Sequence, residues 1–572
     1  MMPAHETYDI IVVGAGAGGM TAAAVAAAEG LRVLVIEKTA FVGGTTAWSD
    51  GMIWIPANAK MKQAGLSDSV TDAVQYLSNT VPEPANAGLR AAFLARGPEA
   101  VAYLEANTQV RLQPVKACPD YYPERLGATP GGRVLEPVVF DGTRLGAHFA
   151  RLRAPLPEFT LFGGMMVSRP DIPHLRRAGK SLRSALRAAR LVSEYAWQRL
   201  RSPRGTTLHL GNALAARLYA SLLARQVEIL FSADVEDLSM QGERVGGVII
   251  RHGARDRLIA ARRGVVLATG GFSYDATLRK RFFPPAAGFI SATHTSATGD
   301  GIRLATATGA ALNTDATSPA YWVPASLFRR ADGSRGVFPH MVTDRAKPGV
   351  IAVNAAGRRF ANEALSYHEF VLAMLRDGEP DRPFHLICDR QFLWRYGLGR
   401  IRPFTRNIRR YAASGELAEA ADIAQLAAKI GIKPSTLAAT IANYNSDAKE
   451  GRDLEFGRGS TIYQRHFGDA AHKPNPCVAP ILCAPFFAMR IYPADLGTAI
   501  GMKVDAQARV LREDGTPVAG LYACGNDMGS VMNGNCPGPG IALGPALTFG
   551  YIAGRHLAEG SVVGASAATA LV

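Results

Sequence analysis

Gly14-Ala15-Gly16-Ala17-Gly18-Gly19, set between an apolar run and an alanine-rich run, limits what this chain can fold into more than any other feature. It satisfies G-x-G-x-x-G. Tyr8–Val13 predicts a buried parallel strand, Gly19–Glu29 a helix and Arg32–Ile36 a second strand, together one βαβ unit. In such a unit Gly14 permits a tight turn, Gly16 lets the backbone approach a pyrophosphate, and Gly19 lets the helix pack on the sheet. The helix N-terminus offers N–H groups and a positive dipole end to phosphates. Glu37 follows the second strand, where a carboxylate accepts ribose hydroxyls. A site for a 2′-phosphate would place a cation there. A tight turn without a ligand is the alternative reading of the glycines alone.

Further loops decide which dinucleotide. Val42-Gly43-Gly44-Thr45-Thr46-Ala47, with Ser49 and Gly51 just beyond, is a second glycine–hydroxyl loop able to follow a ribityl chain. Ala268-Thr269-Gly270-Gly271 and Ala523-Cys524-Gly525-Asn526 each end a predicted strand. Gly540-Ile541-Ala542-Leu543 opens the last predicted helix, Leu543–His556. A helix N-terminus aimed at the N1/C2=O edge of a flavin stabilises its anionic reduced ring. The pattern therefore predicts FAD, held by these loops together with Ala17, Gly18, Lys38, Val235 and Asp300.

At 572 residues the chain exceeds one ordinary core. The expected class is α/β. A Rossmann-like FAD-binding domain (1–275, with a basic helical insert at about 170–204, then 486–572) is interrupted by an inserted α+β catalytic, substrate-capping domain at 276–485. Further strands are predicted at Val227–Phe231, Arg244–Ile250 and Gly264–Ala268, and helices at Ala213–Ala224 and Ile423–Ile430. The six cysteines form no C-x-x-C pair, which argues against structural zinc or a disulfide framework and suits a reducing cytoplasm. No metal site is predicted. No signal peptide is visible, and no apolar run reaches the ~18 residues of a spanning helix.

The loops together resemble the fumarate reductase/succinate dehydrogenase flavoprotein family. Within it, GGTTAWSDGMIWIP, PDYYPE, PGVIAVNAAGRRFANEA and NCPGPGIALGPALTFGYIAGRH are most similar to FAD-dependent 3-ketosteroid dehydrogenases. The resemblance implies dehydrogenation of a cyclic ketone, first of all a 3-ketosteroid. A tyrosinate removes the alpha proton, and a hydride passes from the next carbon to flavin N5. The product double bond is conjugated to the ketone. Tyr321 matches the proton-abstracting tyrosine and Gly540 the glycine whose N–H binds the ketone. Two positions depart from the pattern. Cys536 stands where relatives carry a ketone-binding tyrosine, and Cys118 where they carry a supporting one, with Tyr121 or Tyr122 as substitute hydroxyls. A thiol is a weak donor. Both thiols filling small apolar space is the alternative. The loop after Gly44 has no histidine for a covalent flavin link, so the FAD is expected to be noncovalent. Without a second dinucleotide motif, an unidentified outside electron acceptor is required. An ene-reductase running the reaction backwards, or a catalytically altered flavoprotein serving as a binding module, are the other readings.

Net charge is +15, and 175–204 carries nine Arg/Lys against one Glu, a net of +8. No aromatic–basic interleaving supports nucleic acid as a partner. A single helix over Leu175–Leu200 would carry Arg176, Lys180, Arg183, Arg187 and Arg190 as one stripe, beside an apolar stripe of Leu175, Leu182, Leu186, Ala189 and Ala196. That pattern reads as membrane-surface contact, giving a cytoplasmic protein peripheral on the inner face of a membrane. A solvated basic face or an acidic partner protein are the competing readings.

Overall fold

The computed structural model describes residues 6–82, 86–252, 255–377 and 382–560. An eight-stranded sheet is built on the predicted βαβ unit. Glu6–Val13 pairs in parallel with Val33–Glu37, Ile10 opposite Val33 through Val13 opposite Ile36. Glu228–Phe231 extends one side in parallel. Arg255–Leu267 and then Pro517–Ala523 extend the other. Asp234–Gln241 and Arg244–His252 form an antiparallel flap beside Arg255–Leu267. The central strands are continuous Val/Ile/Leu runs because helices cover both faces. Ala17–Ala28 and Leu543–Glu559 lie against each other. Gly550 and Gly554 allow this, since a Cβ at either would meet the first helix near the Gly18 and Ala22 carbonyl oxygens.

A second, six-stranded antiparallel sheet has the order Arg335–Pro339, Ala320–Arg329, Phe486–Thr498, Phe384–Asp389, Val350–Val353, with Ala418–Ala420 also on Phe486–Thr498. This corrects the expected boundary at 486. The strand Phe486–Thr498 is central to the second sheet, and the chain rejoins the first sheet only at Arg509–Leu511. The glycine- and proline-rich stretch after the second strand contains helices at Val70–Ser78 and Ala87–Asn107, the latter tolerating Pro98 inside it.

The single basic helix is also corrected. Ile172–Arg176 and Leu182–Arg199 are separate helices, broken at the turn that contains Gly179. Arg176 stands on the first, where its guanidinium donates to the Arg395 carbonyl at 2.7 Å. Arg187 is bound to Asp171 at 2.7 Å. Arg190 pairs with Glu194 at 2.7 Å, so three of the stripe's five members are engaged by protein contacts. The side facing the protein carries Ser184 and Tyr195, whereas Leu182, Leu186, Trp197 and Leu200 are 78%, 63%, 57% and 78% exposed. No helix among the described residues is long and apolar enough to cross a membrane.

Candidate active site

Strand ends of the first sheet meet the N-termini of the first and last helices around one cleft. Gly16, Gly270 and Gly525 are half-buried there, and no atom stands within 4 Å of where their Cβ would be. A side chain at any of them would enter the cleft, so at these three positions its wall is bare backbone. That is the surface a pyrophosphate and a planar ring require, and the residues fit FAD. Gly14 and Gly19 serve chain-to-chain spacing instead. Gly14 has φ +106°, and a Cβ on it would strike the Ala268 carbonyl. A Cβ on Gly19 would strike the Gly14 carbonyl.

Glu37 is 7% exposed. Its carboxylate accepts from the Ala15 N–H at 3.0 Å, the Thr39 N–H at 2.9 Å and the Thr39 hydroxyl at 2.8 Å. A carboxylate offers about four acceptor positions, so the chain itself fixes its orientation and leaves about one for a ribose. Lys38 bonds Asp300 at 2.6 Å and Thr298 at 2.5 Å across the cleft edge. Asp527, fully buried, accepts from Thr269 N–H, Thr269 hydroxyl and Gly271 N–H, tying two of the glycine loops together. His294 lies beside Thr45. Burial, then Arg153 and Lys38, hold its pKa down to about 4, so it is neutral.

The cleft brings together most of the cofactor residues named from sequence: Gly14, Gly16, Ala17, Gly18, Glu37, Lys38, Gly44, Thr45, Thr46, Ser49, Val235, Ala268, Thr269, Gly270, Asp300, Gly525, Asn526, Ala542 and Leu543. Gly19, Gly43, Gly51 and Gly540 are not among its walls, and Ile541 lines an adjoining cavity. A Cβ on Gly43 would meet Ala47 and Ala215, and one on Gly51 the backbone at Leu210 and Gly211. The sequence reading missed Ala233, Asp234, Glu236, Ser296, Ala297, Arg303 and Leu496, which also line the cleft. They carry no motif and reach it only through tertiary packing.

The adjoining cavity is lined by Tyr321, Thr498, Ser530, Ile541 and Pro545, and it shares Gly525, Asn526 and Ala542 with the cleft. Tyr321 lies on Ala320–Arg329 where the register against Phe486–Thr498 shifts. Ala320 faces Thr498 and Trp322 faces Asp495. Such irregularities re-aim side chains beside active sites. Tyr321 is 7% exposed, and its hydroxyl lies 2.8 Å from the Ser530 hydroxyl. Burial pushes its pKa up, the Ser530 hydrogen bond draws it down, and Cys536 adds a smaller upward push. Gly540 has φ +94°. Its carbonyl accepts from Trp54 N–H at 3.2 Å, while its own N–H has no partner among the described residues.

Cys536 and Cys118 are buried free thiols. Burial pushes the Cys118 pKa up to about 12 and that of Cys536 higher still, so both are neutral. Cys536 is not isolated from phenols. Its sulfur stands 4.0 Å from the Tyr367 hydroxyl. The Tyr121 ring packs edge-on against Tyr367 and Tyr463, with centroids 5.6 and 5.1 Å away. Tyr122 turns away, donating to Glu369 at 2.7 Å. The backbone of Tyr121 donates to the Pro537 carbonyl, which also accepts from the Tyr76 hydroxyl, pinning this segment to the loop that carries Cys536. Tyr367 and Tyr463 were not singled out from sequence. Tyr367 follows the quoted PGVIAVNAAGRRFANEA segment by three residues, which is the one available hint.

The sequence matches the FAD binding domain family over residues 9–543. The chain belongs to this family. The flavoprotein is 37% identical to 4-oxocyclohex-2-ene-1-carboxylate 5-dehydrogenase of Sinomonas cyclohexanicum, covering 96% of this chain and 94% of that one. It is 34% identical to 3-oxosteroid 1-dehydrogenase of Mycobacterium tuberculosis, covering 97% and 99%. Its fold superposes with a TM-score of 0.89 on 3-ketosteroid delta1-dehydrogenase from Sterolibacterium denitrificans, solved with 1,4-androstadiene-3,17-dione, at 36% identity and 97% and 99% coverage. The flavoprotein is an FAD-dependent oxidoreductase acting on CH–CH groups, and its α/β architecture is that of the steroid dehydrogenase and fumarate reductase flavoproteins.

Proposed function

We propose that this flavoprotein dehydrogenates a cyclic ketone, a 3-ketosteroid first, with Tyr321 as the base. The observation that carries the reading is a buried tyrosine in a cavity whose walls continue into the FAD cleft. Bound FAD supplies the two-electron acceptor for the hydride. Tyr321, as tyrosinate, takes the proton alpha to the ketone. The Gly540 N–H holds the ketone oxygen, where charge develops as that proton leaves. Cys536 contributes at most a weak hydrogen bond there. Loss of one good oxyanion donor typically costs ~100–1000-fold in turnover. The nearby Tyr367 hydroxyl is the group placed to offset that loss. Electrons leave to an acceptor outside this chain.

The test is anaerobic flavin bleaching by a panel of saturated and Δ4 3-ketosteroids together with 4-oxocyclohexanecarboxylates, products identified. Tyr321→Phe is expected to keep its flavin and lose bleaching by about 1000-fold or more. Normal bleaching would place the base elsewhere. Rapid bleaching by the small carboxylates alone would reassign the substrate to the chemistry named for the Sinomonas relative.

A second reading concerns Leu182–Arg199. Its exposed Leu182, Leu186 and Trp197, with Leu200 just beyond and Arg183 beside them, support contact with an anionic membrane surface. A lipid-dissolved ketone would reach the enzyme from such a surface.

A further inference from the structure

We propose that Trp54 is a positioning residue: its indole, oriented by Asp120, is the template on which the turn Gly538–Gly544 is set, and it thereby aims the Gly540 N–H. The proposal rests on the reading of Gly540 as the group that holds the ketone, and not on which side chain takes the proton.

Trp54 ends the short strand Ile53–Trp54 and is fully buried. Three glycines of the turn close directly on this strand. A Cβ on Gly538 would strike the indole at Nε1, one on Gly540 the Met52 carbonyl, and one on Gly544 the Trp54 carbonyl. With no side chain between them, the turn follows the shape of what it lies on. It is also fixed on both sides of the N–H. The Gly540 carbonyl accepts from the Trp54 N–H at 3.2 Å and from the Gly544 N–H at 2.9 Å. The Pro537 carbonyl accepts from the Tyr76 hydroxyl at 2.6 Å and from the Tyr121 N–H at 3.1 Å. Between these anchors the Gly540 N–H stands without a partner among the described residues.

The indole is itself held. Its Nε1–H donates to Asp120 at 2.8 Å. The other Asp120 oxygen accepts from Arg133 at 2.8 Å and from the Thr129 N–H at 3.0 Å. Arg133 in turn grips Asp68 through two nitrogens, at 2.9 and 2.7 Å. The three charged side chains are as deeply buried as the indole, at 1% exposure. Buried ion pairs add little net stability over apolar side chains of the same volume. What this one supplies is direction, a fixed acceptor for one indole N–H. Phe93 stacks on the ring with the two planes 12° apart. Held at its edge by Asp120 and on its face by Phe93, the indole presents one fixed surface to Gly538. Donors to a developing oxyanion act through such preorganisation, and a misplacement of about 1 Å costs about 100-fold in rate.

The experiment follows anaerobic flavin reduction in the holoenzyme, per bound flavin, against the concentration of whichever ketone of the panel above bleaches the wild type fastest. Trp54→Phe keeps an aromatic ring and removes the N–H. Gly538→Ala disturbs the same contact from the side of the turn. Each is expected to lower the limiting rate of reduction about 10- to 100-fold while the half-saturating ketone concentration changes less than about threefold, because the Gly540 hydrogen bond counts most as charge develops on the oxygen. A limiting rate within about twofold of wild type in either flavin-loaded variant overturns the inference, as does a loss confined to half-saturation. Loss of flavin from both variants also overturns it, by assigning Trp54 to the fold alone. A wild-type flavin that no ketone of the panel bleaches would instead overturn the ketone-holding role of Gly540, and the inference with it, before any variant is compared.

Discussion

Gly14 and Gly16 stand two positions apart and answer to different demands. Gly14 holds a left-handed φ with the Ala268 carbonyl in the way of any Cβ. Gly16 has an ordinary φ of −84° and open space ahead of it. Alanine at 14 is therefore a fold mutation, combining strain at positive φ with a backbone clash, at about 2–4 kcal/mol of stability. Alanine at 16 is a ligand mutation. It is expected to leave apo-protein unfolding within about 0.5 kcal/mol of wild type and to weaken FAD binding at least about tenfold, because its methyl enters the cleft. Thermal unfolding of the apo protein and fluorescence titration with FAD separate the two outcomes. At the same scale, Cys536 shows why a substituted residue is not read alone. The family resemblance sets a thiol where a phenol is expected at that position, and Tyr367 places a phenol 4.0 Å from the sulfur. The sequence distance between 367 and 536 hides that juxtaposition.

Among the elements, strands of continuous Val, Ile and Leu were legible because burial on both faces leaves no polar alternation. Glu6–Val13 and Val33–Glu37 lie within two residues of their predicted ends. Leu182–Arg199 was not. Its apolar and basic stripes suggested one helix over Leu175–Leu200 lying on a membrane surface; the chain breaks near Gly179, and the leucines of the second helix face outward. Periodicity identifies a helix and its faces, not which face meets the protein. If this helix meets a membrane, its exposed leucines carry the binding, since Arg176, Arg187 and Arg190 are already engaged. The triple change of Leu182, Leu186 and Leu200 to Glu is expected to reduce cosedimentation with anionic phospholipid vesicles by about tenfold or more, leaving flavin content unchanged. Unaltered cosedimentation would dismiss the membrane contact.

The whole molecule depends on buried ion networks that hold its second sheet to the segments after it. Arg359 bonds Glu363 at 2.9 Å and Asp453 at 2.7 Å, and Arg458 bonds Glu363 at 3.1 Å, all with side chains almost fully buried. Burial pushes both carboxyls up, but Arg359 more than offsets it, with Arg458 adding to the effect, so both lie below the ordinary carboxylate range. A carboxyl whose folded pKa is depressed contributes stability above its unfolded value of about 4 and loses it as pH falls through the folded one. The unfolding temperature is therefore expected to drop steeply below about pH 4. Arg359→Met should cost about 3–5 kcal/mol at pH 7, because Asp453 is left buried without its arginine and Glu363 keeps only Arg458. It should also reverse the trend, gaining stability from pH 7 to 5 as those carboxyls protonate. Calorimetry across this range checks both signs.

The sequence by itself determined the dinucleotide cleft. Its specificity lies in short segments in which a glycine either fits or blocks a backbone approach, and neighbouring residues write that constraint into the chain. It also suggested Tyr321 and Gly540 as catalytic candidates, through motifs continuous along the chain. Only the tertiary structure decided that Ser530 faces Tyr321, that Tyr367 stands beside Cys536, and that Phe486–Thr498 belongs to the second sheet rather than the first. Those facts depend on residues about 100 to 200 positions apart meeting across a cavity. No local spacing records such a meeting, because it is fixed by how two sheets and their connecting segments pack together.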